Sequence, residues 1–185
     1  MNNKGKFDRY AQMLREWSAR MNLVAPSTLA DIETRHFADS AQLADVLPKN
    51  AHIVDLGSGA GFPGVVLAIL GWPVVCIESI GKKVAFLTAV RDALGLDNLT
   101  IYHGRVENYV ADMPKNTDVV FTARAFAPLV KILDYVAKTH CPLYLLKGRE
   151  IPAEIDTAMK KYKFDYELIP SKTGDGFIII IKNNR

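Results

Sequence analysis

The hydrophobic positions of this chain change period near residue 50. Before it they step by three or four. Phe7, Tyr10, Leu14, Trp17 and Met21 share one helical face over residues 6–23, and Asp8, Arg9, Arg15, Glu16 and Arg20 take the other. A second helical stretch is expected over 31–46, and Pro48-Lys49-Asn50 reads as a connection. After it, short apolar runs alternate with helical patterns. Strands are expected at 51–56, 74–77, 99–102, 118–122 and 143–146. Helices are expected at 62–70, stopped by Gly71 and Pro73, at 82–94, closed by Gly95, and at 127–138.

Strand–helix alternation implies βαβ units and a parallel sheet. The strands are nearly continuously apolar, as when helices cover both faces. The rhythm breaks at the end. Strand-like runs at 164–169 and 177–182 are separated only by a short segment with the turn signal Gly174-Asp175-Gly176. That is too short for a parallel crossover, so the two runs should pair antiparallel. The expected organisation is a helical extension over 1–50 packed as one unit with an α/β domain over 51–185.

Composition adds bounds. The chain has 185 residues, 49% of them hydrophobic and 23% charged, enough for one real core. The net charge of +3 permits a nucleic-acid partner without demanding one. Cys76 sits in an apolar run and Cys141 precedes Pro142, so neither a disulfide framework nor a metal site is expected. The amino-terminal residues lack the apolar core of a signal peptide, and no apolar run has membrane-spanning length. A cytoplasmic location away from membranes is expected.

The segment Asp55-Leu56-Gly57-Ser58-Gly59-Ala60-Gly61-Phe62-Pro63-Gly64 carries the chemistry. It joins the first strand to a helix, where ligands bind in open parallel sheets. Glycines there let the backbone turn and let a ligand approach closely. Glu78 follows Gly57 by 21 residues and ends the second strand. Its carboxylate can accept from both hydroxyls of a ribose, and Asp55 can face the amino end of a methionine moiety. Gly59 to Gly64 also matches the dinucleotide fingerprint G-x-G-x-x-G. Three features disfavour that rival: the match starts late after the strand, Pro63 falls in the opening helical turn, and Asp55 would lie near a pyrophosphate. S-adenosylmethionine has no phosphate and carries a sulfonium, so acids are tolerated beside it. A nicotinamide-dependent oxidoreductase remains the alternative enzyme, and an RNA-binding or regulatory protein without catalysis the alternative outside enzymes.

Five alternating strands finished by an antiparallel pair resemble the seven-stranded, mostly parallel, Rossmann-like class I S-adenosylmethionine-dependent methyltransferases. The glycine loop, ending in Pro63-Gly64, resembles that of the bacterial small-subunit ribosomal RNA guanine-N7 methyltransferases, also called the glucose-inhibited division protein B family. Further blocks are similar to that family's: Met21-Asn22-Leu23-Val24, the Arg35-His36 to Asp39-Ser40 element, Glu78-Ser79-Ile80-Gly81-Lys82-Lys83, Gly104-Arg105-Val106-Glu107, Arg124-Ala125-Phe126-Ala127 and Leu146-Lys147-Gly148. Glu78 stands where aspartate is common, and its longer side chain still reaches a ribose.

The resemblance implies methylation of guanine N7 in 16S ribosomal RNA by a monomer whose partner is that RNA or the small ribosomal subunit, with no DNA substrate. It implies a cofactor site on Asp55, Gly57, Ser58, Gly59, Gly61, Phe62 and Glu78, with Val106 and Glu107 at the adenine. Arg124 would sit beside cofactor and RNA as the catalytic residue, its planar fork holding guanine O6 or a phosphate. An ion pair with Asp55 or another acid is its structural alternative. Guanine N7 has a lone pair and no proton, so no strong general base is expected, and positioning can supply most of the catalysis. Lys147, Arg149 and His36 are candidates for RNA contact, although each alone is more often a surface or packing residue. An internal hydrogen bond between Asp39 and His36 is expected to fix the extension. Lys4, Lys6, Arg9, Arg15, Arg20, Lys160, Lys161 and Lys163 could meet phosphates, or form ordinary solvated faces.

Overall fold

The structure is a computed structural model describing residues 1–114 and 117–184. Helix α1 (Asn3–Ser18) is capped by the Asn2 side chain, which accepts from the Gly5 N–H, and it buries Tyr10, Ala11, Met13 and Leu14. It stops five residues short of the expected end.

The single helix expected over 31–46 is a chain of short turns. A 3₁₀ turn (Pro26–Asp31) leads into a π turn (Glu33–Ala38), one α turn, α2 (Asp39–Ala41), and a second 3₁₀ turn (Gln42–Asp45). Apolar spacing alone cannot tell these tighter and wider turns from a regular helix, because all of them bring a residue inward every three to five positions. The π turn buries His36 and Phe37 together.

The βαβ part follows the expected order. Strands β1 (Ile53–Leu56), β2 (Val74–Glu78), β3 (Leu99–His103), β4 (Val120–Arg124) and β5 (Leu143–Lys147) run parallel. Helices α3 (Gly64–Ile69), α4 (Gly81–Leu94), α5 (Val106–Asp112) and α6 (Leu129–Val136) link them. Helix α5 and the later α7 (Ile151–Met159) carry no expectation from sequence. Only Ile151, Ile155 and Ala158 of α7 are buried, a stripe too narrow to stand out in a short segment. The last strands, β6 (Phe164–Pro170) and β7 (Phe177–Asn184), pair antiparallel, and β7 also lies antiparallel to β5.

The strand order is β3-β2-β1-β4-β5-β7-β6. It reverses between β1 and β4, and the crevice beyond their carboxyl ends is where such sheets hold ligands. Two apolar layers cover the sheet. Tyr10, Leu14, Val65 and Phe86 pack on one face, and Leu129, Leu133, Ile151 and Ile155 on the other. Strand β7 serves both, Ile178 and Ile180 facing the first layer and Ile179 and Ile181 the second. This explains its unbroken apolar run. Helix α1 shares a core with α3 and α4, so the extension is continuous with the sheet's packing. Among the described residues no helix is long and apolar enough to cross a membrane.

Candidate active site

A cavity of about 490 Å³ opens at the switch point. Its size lies within the roughly 300–1,000 Å³ range of small-molecule sites. Gly57, Ser58, Gly59 and Phe62 line it from the glycine loop, Glu78 from β2, and Val106 and Glu107 from the start of α5. Gly57 has φ +68°, and a Cβ there would lie 2.1 Å from Phe126 Cδ2. Only glycine keeps this backbone and the opening above it.

Glu78 is nearly buried. Its two carboxylate oxygens accept the Gly59 N–H at 2.9 Å and the Ile80 N–H at 2.8 Å. The acid thus fixes the loop and still borders the cavity, where a carboxylate retains lone pairs for ribose hydroxyls. This acceptor, with the glycine-lined opening, fits a nucleoside-like ligand such as S-adenosylmethionine.

Asp55 is placed differently from the expectation. It is fully buried and does not line the cavity. Its Oδ2 accepts the Gly64 N–H at 3.1 Å and its Oδ1 the Thr122 hydroxyl at 3.4 Å. Side chains alternate along a strand, and at this register Asp55 points beneath the loop rather than toward a ligand. Burial raises its pKa to about 6, against the lowering effect of its hydrogen bonds. Gly61 also lies outside the lining. From α1, the Tyr10 hydroxyl donates to the Ala60 carbonyl. The extension therefore clamps the loop from behind, a role that Tyr10's place in an apolar stripe did not reveal.

Arg124 ends β4 and reaches the cavity edge. Its Nη1 lies 3.2 Å from Asp39 Oδ2 and 3.4 Å from the His36 carbonyl, and Nη2 bonds His36 Nδ1. Its guanidinium stands 5.2 Å over the Phe62 ring, and His36 stacks on that ring at 4.8 Å. Because Arg124 only donates, Nδ1 of His36 must accept. The ring proton then sits on Nε2, 2.8 Å from Thr28 Oγ1. Burial first, then the Arg124 charge, lowers the His36 pKa to about 4, so the ring is neutral at pH 7. The expected Asp39–His36 bond is not formed: both residues bind Arg124 instead. The acid paired with Arg124 is Asp39 and not Asp55, the one named from the sequence.

A second cavity of about 500 Å³ lies beyond this cluster. Thr28, His36, Arg124 and Ala125 line both cavities, so they form a shared wall. Asp39, Lys147 and Thr173 line the second and not the first. Lys147 is not a free cation. Its Nζ lies 2.6 Å from Glu154 and donates to the Ala127 carbonyl at 2.9 Å. Arg149 lines neither cavity and is exposed, 3.5 Å from Glu150.

Fold and site together are those of the Rossmann-like class I methyltransferase fold. Solved structures share the architecture. A methyltransferase from Aquifex aeolicus, described as SAM-dependent, superposes with TM-score 0.62 over 92% of this chain and 97% of that one, at 14% identity. A mutant of MtNAS in complex with S-adenosylmethionine gives TM-score 0.65 over 98% and 76%, also at 14% identity.

Sequence relatives narrow the class. The family model described as rRNA small subunit methyltransferase G matches residues 3–173. Proteins named ribosomal RNA small subunit methyltransferase G are 42% identical in Hyphomonas neptunium, covering 95% of this chain and 85% of that one. They are 40% identical in Bradyrhizobium diazoefficiens, over 95% and 70%, and 45% in Rhodospirillum centenum, over 89% and 76%. The chain belongs to the rRNA small subunit methyltransferase G family. It is a methyltransferase whose cofactor is S-adenosylmethionine, and the oxidoreductase and non-catalytic alternatives are not favoured.

Proposed function

We propose that the protein methylates N7 of a guanine in small-subunit ribosomal RNA, with the cofactor in the first cavity and the guanine entering through the second. The observation that carries this reading is the wall between them, where one arginine borders both spaces.

S-adenosylmethionine supplies an electrophilic methyl group when bound. Glu78 accepts the ribose hydroxyls, while Gly57, Ser58 and Gly59 leave room for the ligand's backbone-side approach. Val106 and Glu107 meet the adenine. Phe62 and Phe126 exclude water from the opening. Arg124 donates to guanine O6, leaving the N7 lone pair free to attack. Methylation at N7 removes no proton, so the neutral His36 need not act as a base. It holds Arg124 instead. Orientation then supplies most of the rate. Arg35 lines the second cavity and is exposed, and the exposed Arg149 directly follows its lining residue Gly148, so both can meet phosphates near the entrance. Such a target supports a cytoplasmic protein acting as a monomer on the small subunit or its RNA.

The test is incubation with labelled S-adenosylmethionine and small ribosomal subunits from a strain lacking the gene, followed by mapping. The expected product is one N7-methylguanine. Absence of label from the subunits and from their free RNA, or label on another base, would overturn the reading.

A further inference from the structure

Arg124 is restrained by contacts that begin in the loop 171–176 between β6 and β7. Asp39 presents Oδ2 to Arg124, while its Oδ1 accepts from the Thr173 hydroxyl at 2.9 Å and from Gln42 Nε2 at 2.9 Å. Gln42 is tied to the same loop. Its Nε2 lies 3.1 Å from Ser171 Oγ, and its Oε1 accepts the Lys172 N–H at 3.0 Å. These links join positions about 130 apart in sequence. Gln42 is buried, and its amide is satisfied by this arrangement. It lines neither cavity.

A carboxylate with one oxygen anchored has lost most of its freedom to rotate. The two donors on Oδ1 therefore decide where Oδ2 points, and so where the Arg124 guanidinium rests. We propose that Thr173 and Gln42 are positioning residues for methyl transfer, acting on Arg124 through Asp39, so that the β6–β7 loop sets the rate from outside the cofactor cavity. The inference rests on the methylation reading above.

The test compares wild type, Thr173→Val, Thr173→Ser and Asp39→Ala in single-turnover transfer to small subunits, with cofactor binding measured by calorimetry. Thr173 is a partly exposed loop residue, so its valine variant should fold, and thermal unfolding checks this. Hydrogen bonds to charged groups are strong enough for a rate loss of about tenfold or more. The valine variant should lose that much at saturating cofactor, with the cofactor Kd within twofold of wild type, and serine should restore the rate. In the Asp39→Ala background the valine change should add nothing. A valine variant at the wild-type rate, or losses that multiply with those of Asp39→Ala, overturns the relay while leaving the methylation reading intact. An inactive wild type overturns that reading instead.

Discussion

Replacing Gly57 by alanine separates backbone strain from occlusion of the cavity. The residue has φ +68°, and an L-residue in the left-handed region costs about 1–2 kcal/mol. The added Cβ would lie 2.1 Å from Phe126 Cδ2. Carbon atoms attract best at about 3.5–4.0 Å, so the ring must move by roughly 1.5 Å. Phe126 is only half-buried and lines the cavity, so the ring can swing into the ligand's space. Gly95, the cap of α4, provides the control. It has φ +58° and no atom within 4 Å of a built Cβ. Both variants should lose about 1–2 kcal/mol, or roughly 2–4 °C in Tm per kcal/mol for a chain of this size. Only the Gly57 variant should lose cofactor affinity, by at least about tenfold, near 1.4 kcal/mol. Calorimetry against S-adenosylmethionine, with melting curves, reads both quantities. An unchanged Kd for Gly57→Ala would refute the placement of the ligand over this residue.

Two further expectations concern the ground beneath the loop. Tyr10→Phe removes the donor to the buried Ala60 carbonyl and should cost about 1–3 kcal/mol in chemical denaturation, with weaker cofactor binding; an unchanged midpoint refutes the clamp. For Asp55, burial raises the carboxyl from its ordinary 3.8 to about 6, so the folded protein holds a proton that the unfolded chain has already released. Stability should fall as pH rises through that window, by roughly 3 kcal/mol from this group, and Asp55→Asn should remove that part of the slope. Equal slopes for the two proteins between pH 4 and 7 contradict it.

What was legible in the sequence follows from which side chains faced one environment. Strands covered on both faces, such as β1 and β7, announced themselves as apolar runs. The glycine loop and Glu78 were legible from spacing, because both sit where a strand ends at the rim of the cavity. Asp55 misled because its neighbours mark the site while its own side chain faces the core. The Arg35-His36 and Asp39-Ser40 element was visible as a resemblance, but not its geometry. A π turn buries His36 against Arg124, and Asp39 pairs with the same guanidinium. Thr173 offered no signal at all: its hydroxyl gains meaning only when the hairpin folds back onto the extension.

The most direct test of the account is the behaviour of Arg124→Ala. With cofactor and small subunits both saturating, single-turnover transfer should fall by about a hundredfold or more, as when a donor at a reacting group is lost. Binding of S-adenosylmethionine should stay within a few fold of wild type, because Glu78 and the glycine loop remain. Transfer at the wild-type rate, or loss of cofactor binding that accounts for the whole defect, would contradict the claim that Arg124 holds the base at the wall between two cavities.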